Sequence, residues 1–235
     1  MRRGRRWFLK GEILVLVCLL SIWAIKSEFI PIDTVKAEVL RQVVKIDRDN
    51  LEAYRFLAKH YDVQEHSKKV TDAYEGIVRL DPTDANAWAD LGYAYWVSDQ
   101  HGIALAAYHR AAALRPDWPE PYLSLAFAYR DLHRHEQAIE ALNRAIALHP
   151  DMSGLYIILG ELHQEADQPN EALAAYEHAV ALNPRNAAAH LYLAKAQLQE
   201  GNQDAALAEC QLIGQEDGDL AGESCNAQDN RQQAD

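Results

Sequence analysis

The sequence predicts an all-α fold, a solenoid of about five stacked helical hairpins, with a single transmembrane helix in front of it. A proline recurs every 34 residues, at Pro82, Pro116, Pro150 and Pro184. Between these prolines, apolar residues recur at helical spacing in two blocks that a short polar turn separates. Residues 13–25 form an uninterrupted run of apolar or small residues behind a basic N-terminus. The period predicts the hairpins, and the apolar run predicts the membrane helix.

The first ten residues form a basic flank that we expect to stay in the cytoplasm. Five of the chain's 23 lysines and arginines lie there, in a stretch without acidic residues. Residues 11–26 are expected to form a transmembrane signal anchor. Counted from Trp7, the apolar stretch approaches the roughly 20 residues that a membrane helix needs. The positive-inside rule then places everything after residue 26 on the far side of the membrane.

The export route and the fate of this segment stay open at the sequence level. Residues 5–10, RRWFLK, resemble the twin-arginine export motif, although an ordinary basic flank on a signal anchor is the favoured explanation. Signal peptidase needs small residues one and three positions before the cut, but Ile22 and Ile25 occupy the far position of the two candidate sites. We therefore expect retention as an anchor rather than cleavage.

Residues 27–50 are predicted to be a linker followed by a capping helix. The helix covers residues 33–47, DTVKAEVLRQVVKID, with Asp33 as its N-cap and Pro31 just outside it. Its pattern is that of the second helix of a hairpin. We therefore expect it to cover the N-terminal end of the stack.

Alignment on the 34-residue period gives an array over residues 51–218. In every copy a leucine is followed by alanine or glycine, which allows the two helices of a hairpin to approach closely. A large residue of the second helix is expected to fill the space opposite. The copies are 51–84, 85–118, 119–152, 153–186 and a degraded 187–218.

Residues 88–116, WADLGYAYWVSDQHGIALAAYHRAAALRP, resemble the tetratricopeptide repeat, whose Trp, Leu-Gly, Tyr, Ala, Tyr, Ala, Pro signature they match almost throughout. The resemblance extends over all five copies and implies a right-handed α-solenoid with a concave and a convex side. It weakens at both ends, where Val70 and Ile77 replace alanines in the first copy, and Cys210 and Ile213 dilute the last.

The C-terminal end of the array is predicted to be uncovered. Residues 203–214 form the last helix, and residues 219–235, which are acidic and almost without apolar side chains, are predicted to be a disordered tail. Leu212 and Ile213 then lie at an open edge, which either frays or serves dimerisation.

The three cysteines, Cys18, Cys210 and Cys225, are too few for a disulfide framework. Two alternatives stay open: a Cys210–Cys225 bridge outside the cytoplasm, or unpaired thiols.

Composition and motifs argue against nucleic-acid binding and catalysis. A net charge of −12 at pH 7 repels phosphate backbones. Residues 135–139, HEQAI, begin like a zinc-protease helix but have Ile139 where the second histidine must lie. The ten histidines are otherwise assigned to turns and core positions. We expect no enzymatic activity, no metal and no cofactor, and a protein or peptide as partner.

The resemblance implies a peptide-binding groove on the concave face, built from first-helix residues that the core does not use. Some relatives hold a carboxylate there with a Lys, Asn and Arg clamp, but Asp90, Glu120 and Ser124 occupy expected clamp positions in this chain. A segment with apolar anchors suits the groove better. The candidate groove residues are Arg55, Lys59, Tyr93, Trp96, Leu123, Phe127, Arg130 and Ile157.

These features together predict a membrane-tethered scaffold that binds peptide segments of other envelope proteins and assists the assembly of complexes. The expected location is the bacterial inner membrane, crossed once, with the repeats in the periplasm. The arrangement is similar to bacterial assembly factors of the cell envelope, such as those of cytochrome c maturation. The alternative is a structural protein that self-associates through its uncovered C-terminal edge.

Overall fold

The computed structural model describes residues 32–61 and 67–216, and this part of the chain consists of eleven helices without a strand. The all-α prediction is therefore confirmed for the described residues. The predicted cytoplasmic flank 1–10, signal anchor 11–26 and acidic tail 219–235 lie outside them.

The first of two compact units ends at Leu114. Each of its helices packs against the next in the chain. Leu57, Ile77 and Leu91 lie in its core together with Ala37 of the first helix. The helices are α1 (Ile32–Ile46), α2 (Leu51–His60), α3 (Ser67–Leu80), α4 (Ala85–Val97) and α5 (His101–Leu114).

The second unit begins at Arg115 and contains three helical hairpins. Tyr176, Leu193 and two alanines form a buried cluster between the last two hairpins. The helices are α6 (Pro119–Asp131), α7 (His135–Leu148), α8 (Ser153–Glu165), α9 (Pro169–Leu182), α10 (Ala187–Gln199) and α11 (Gln203–Glu216).

Three first helices begin at an N-cap residue whose side chain satisfies a free backbone N–H. Asn50 accepts from the amide of Ala53, Asp84 from that of Ala87 and Asn186 from that of Ala189. A short side chain with an oxygen is the preferred N-cap for this reason. The third copy instead places Pro119 in the first turn, where a missing N–H costs no hydrogen bond.

The turns inside the hairpins share one backbone conformation, which the residue types at these positions do not predict. Residues 34 apart adopt a left-handed conformation, with φ of 60° at Asp99, 55° at His133, 58° at Asp167 and 82° at Gly201. The following amide then bonds back to the carbonyl five residues earlier, as Gln100 does to Tyr95 at 2.9 Å. This is the Schellman pattern that ends many helices.

Glycine allows the closest helix contacts at two of the small-residue positions. A Cβ at Gly92 would lie 2.6 Å from the ring of Tyr108, and one at Gly160 would lie 2.3 Å from the ring of Tyr176. Both tyrosines are buried. The predicted pairing of a small residue on the first helix with a large one on the second is present in both hairpins.

The ends of the array differ from expectation in three details. The capping helix begins at Ile32, so that Asp33 lies in its first turn rather than at the N-cap. The last helix extends to Glu216. Ile213, expected at the uncovered edge, is fully buried, whereas Leu212 is 45% exposed. Adjacent residues of a helix point about 100° apart, so that Leu212 and Ile213 cannot both face the core. Because both are apolar, the sequence does not show which of them is buried.

Candidate functional site

Two of the predicted groove residues, Lys59 of α2 and Tyr93 of α4, line one cavity of about 380 Å³ in the first unit. Tyr74 of α3 and Asp90 of α4 complete its polar wall. Tyr93 is 47% exposed, so that its ring is accessible to a partner. The cavity therefore offers an aromatic surface beside one cation and one carboxylate.

A neighbouring cavity of about 270 Å³ extends the same face toward the start of α4. It shares Lys59, Tyr74 and Asp90 with the first cavity and adds Arg55 and Asn86. We call these two cavities the inner trough. Three of the four groove residues predicted in this unit, Arg55, Lys59 and Tyr93, line it.

Arg55 is held by carboxylates of its own chain. Its guanidinium lies 3.5 Å from Asp84, 3.8 Å from Asp81 and 3.5 Å from Glu52. Asp84 also caps α4, so that these contacts join α2 to the start of the next hairpin. Lys59 makes no ion pair with a described carboxylate, and it is the cation of the inner trough that a partner can engage.

The surroundings of Asp90 in the inner trough shift the pKa of its carboxyl. Desolvation by the surrounding side chains raises the pKa of this carboxyl, and the nearby charge of Asp84 raises it further, against a hydrogen bond from the Tyr74 hydroxyl. Burial in turn raises the pKa of Tyr74. Asp90 is nevertheless an exposed residue, so that a positive group of a partner can reach its carboxylate.

Trp96, the fourth predicted groove residue of this unit, lies at the end of α4 and is half-buried. Its ring centroid is 4.2 Å from that of His101, the first residue of α5. The indole thus packs within its own hairpin. The sequence did not reveal this contact, because it depends on the path of the turn between the helices.

In the second unit, exposed Phe127 of α6 contacts half-buried Arg130 of the same helix. Phe127 is 37% exposed, and the Arg130 guanidinium lies 5.0 Å from the centre of its ring. Leu123 is half-buried on the same helix. Ile157 of α8 packs against the buried cluster around Tyr176. Phe127 is consequently the most accessible apolar anchor among the predicted residues of this unit.

Tyr74 and Asp90 line both cavities of the inner trough but were not among the predicted groove residues. Tyr74 occupies the position of the large second-helix residue, which the pattern assigns to the core, and Asp90 was noted only as a departure from the carboxylate clamp. The positions of both residues in the repeat were visible in the sequence and place them beside predicted groove residues. Asp90 lies on the first helix one turn before Tyr93, and Tyr74 is the large second-helix residue opposite Ala58.

No three His, Cys, Asp or Glu side chains of the described residues form a group that could hold a metal ion. Within the same part of the chain, every helix is too short or too polar to cross a bilayer.

Paired antiparallel helices with these caps, turns and small-to-large contacts define a helical repeat fold of the tetratricopeptide type. Residues 119–162 and residues 163–222 each match a tetratricopeptide repeat family model. Residues 31–117 match the model of the bacterial transcriptional activator domain. No sequence among the curated proteins matches the chain.

Solved structures with the same fold include MamA and YrrB. A crystal structure of MamA has a TM-score of 0.64 at 21% identity and covers 74% of this chain and 94% of its own. MamA from Desulfovibrio magneticus RS-1 has a TM-score of 0.62 at 16% identity, covering 70% and 93%. YrrB, described as a TPR protein with an unusual peptide-binding site, has a TM-score of 0.61 at 18% identity, covering 81% and 99%. At these identities the likeness concerns the fold.

Proposed function

We propose that this chain is a membrane-tethered scaffold that binds peptide segments of other envelope proteins through the inner trough. The observation that carries the proposal is the meeting of Lys59 and Tyr93 at one cavity of about 380 Å³, beside Asp90. An exposed aromatic ring next to a cation and a carboxylate is suited to an apolar anchor flanked by polar contacts. The solved structure of YrrB shows that a peptide-binding site occurs on this fold.

The binding experiment uses a photo-crosslinking amino acid placed at Tyr93. The control position is Ile103 of α5, which is 50% exposed but lies outside the inner trough. The proposal expects a discrete crosslinked partner from Tyr93 and none from Ile103. It further expects Lys59→Met to reduce capture of that same partner, while Ile103→Ala leaves capture unchanged. Equal capture from both positions would refute the trough as a binding site.

The tether belongs to residues 11–26 and is a proposal from the sequence, because those residues lie outside the described ones. Five basic residues before the apolar run support a cytoplasmic N-terminus, and the lack of a cleavage site supports retention. A tether raises the local concentration of whatever the repeats bind, so that micromolar contacts become effective. The assembly role is proposed by analogy with the envelope factors named above.

We propose a periplasmic location of the repeats from the basic residues before the apolar run. The disulfide assigned to Cys210 of α11 agrees with this location, because disulfides persist in oxidising compartments rather than in the cytoplasm. A reporter enzyme that is active only in the periplasm, fused after residue 235, tests the location. Activity is expected in intact cells, and an inactive fusion together with free thiols at Cys210 would contradict it.

Self-association is the second candidate, and one observation favours it. Leu207 and Leu212 of α11 are 52% and 45% exposed, although Ile213 is buried. Light scattering of the wild-type chain and of Leu207→Ser/Leu212→Ser distinguishes the two. A dimer that the double variant abolishes supports self-association, and a monomer at high concentration excludes it.

A further inference from the structure

Another cavity, of about 290 Å³, lies between α1, α2 and α3 and shares one lining residue, Tyr61, with the inner trough. Four cationic side chains line it: Arg41 and Lys45 of α1, Arg48 just after α1, and Lys69 of α3. Asp72 is the acidic residue of the lining. We call this cavity the cap pocket. Its positive lining contrasts with a chain whose net charge is −12.

The positive charge of the cap pocket is only partly balanced by the described residues. Arg41 forms an ion pair with Glu38 at 2.7 Å. Lys45 donates to the neutral side chain of Gln42 at 3.2 Å. The Arg48 side chain and Lys69 make no ion pair with a described carboxylate. Three of the four cations can therefore engage an added negative group without breaking an existing ion pair.

The Lys69 ammonium lies 4.9 Å from the centre of the Tyr61 ring, so that one of these cations is already placed against an apolar wall. Tyr54, Tyr61 and Val44 supply most of that wall. The size of the cavity is near the lower end of the ~300–1,000 Å³ typical of small-molecule sites. A bare ion would leave the aromatic wall uncovered, and a neutral apolar molecule would leave the cations unpaired. The lining suits a ligand that has both parts.

We propose that the cap pocket binds an organic anion, a phosphate or carboxylate group joined to a small apolar body, with Lys45, Arg48 and Lys69 around the anionic group and Tyr54 and Tyr61 against the body. Arg and Lys side chains pair with such groups through charge-assisted hydrogen bonds. The two sites share Tyr61, but none of the cap-pocket cations lines the inner trough, so that removal of these cations tests the cap pocket separately from peptide binding.

Calorimetric titration of the full chain in phosphatidylcholine nanodiscs tests the proposal. The probes are phenyl phosphate, benzoate, inorganic phosphate and phenyltrimethylammonium, which has the same ring on a positive head. Saturable binding of phenyl phosphate or benzoate is expected below about 10 mM, a weak but measurable range. Inorganic phosphate should bind at least several-fold more weakly, and the cationic probe should not bind.

Charge removal gives the matched comparison. Lys45→Met/Arg48→Met should weaken the anionic probe at least about tenfold, since each 1.4 kcal/mol of lost interaction is a factor of ten. Arg110→Met/Arg144→Met removes two exposed cations outside the pocket and should leave affinity unchanged. Thermal unfolding of each variant shows whether it remains folded. If the first pair does not, Lys69→Met replaces it.

The source of the natural anion follows from nanodiscs that also contain phosphatidylglycerol. If a lipid headgroup occupies the cap pocket, phosphatidylglycerol should compete with phenyl phosphate and lower its affinity for the chain. If the natural ligand is soluble, the affinity for phenyl phosphate should stay the same. Both results support an anion site. The proposal is overturned if no anionic probe saturates, if the cationic probe binds equally well, or if both charge-removing pairs have the same affinity.

Discussion

Gly160→Ala tests the close helix contact that the repeat pattern predicts. A Cβ at this position lies 2.3 Å from the Tyr176 ring, whereas ordinary contact begins at 3.4 Å. The ring must therefore retreat by roughly 1 Å. It has little room to do so, because Tyr176 is fully buried, its hydroxyl donates to Gln164 at 2.8 Å, and its ring stacks on Tyr192 at 5.5 Å.

Two opposing effects set the magnitude. Overpacking of an enclosed site costs about 1–3 kcal/mol. Replacement of glycine by alanine inside a helix stabilises the helix by up to about 1 kcal/mol. Since the tyrosine ring is enclosed on several sides, we expect the upper part of the range to apply. The net loss in the free energy of unfolding should then be about 2 kcal/mol.

The third repeat shows how the clash is relieved. At the equivalent positions it has Ala126 opposite Leu142, both buried. Gly160→Ala should therefore be neutral or stabilising in a Tyr176→Leu background, although Tyr176→Leu alone is destabilising. The difference between the two backgrounds, measured by urea unfolding as a double-mutant cycle, should be about 2–3 kcal/mol.

Gly154→Ala on the same helix is the control. A Cβ there meets no atom within 4 Å, so that the substitution should be neutral or stabilising by a few tenths of a kcal/mol up to about 1 kcal/mol. The reasoning is refuted if Gly160→Ala does not destabilise the chain, or if its cost is the same with tyrosine and with leucine at position 176.

Three further predictions concern urea unfolding of single variants. Trp88→Phe should lower the free energy of unfolding by about 1 kcal/mol, because the indole N–H donates to the Pro82 carbonyl at 3.0 Å. An unchanged urea midpoint would show that this hydrogen bond does not stabilise the fold. Glu209→Gln should cost about 2 kcal/mol, because the carboxylate bonds the buried His190 ring, and a change of only a few tenths would contradict a charge-assisted bond. Asp90→Asn should stabilise the chain at neutral pH, because the raised pKa of Asp90 shows that the folded state disfavours its charge. That gain should vanish as the pH falls through the raised pKa toward the ordinary value of 3.8, and a pH-independent gain would be contrary to the cause given.

The 34-residue period predicted the helical hairpins because the residues that determine helix packing recur at the same positions in each repeat. A small residue after each leucine and a proline at each repeat end recur at fixed spacing, and both act through local geometry. The left-handed turn residues were not predicted, because Asp99, His133 and Gly201 have no chemical feature in common. They share only a position relative to the two helices. What a turn requires there is a backbone conformation, which Asp and His adopt at a modest cost.

The candidate site could be predicted only where side chains have no competing partner. Tyr93 and Phe127 were predicted from their place on the first helix, and both are exposed. Trp96 was predicted by the same rule but packs against His101, which belongs to the next helix. Residue type and spacing do not reveal which side chain reaches a neighbour across a turn.

Arg55 and Lys59 show the same distinction in charge. Both are cations one helical turn apart, and a sequence pattern gives them equal weight as ligands for a carboxylate. Arg55 lies within 4 Å of three carboxylates, so that a partner must compete with Asp81, Asp84 and Glu52 for it. Lys59 has no such competitor among the described residues and lines both cavities of the inner trough. The recognition proposed for this face therefore depends on Lys59, whereas Arg55 joins the start of α4 to α2 through its ion pairs.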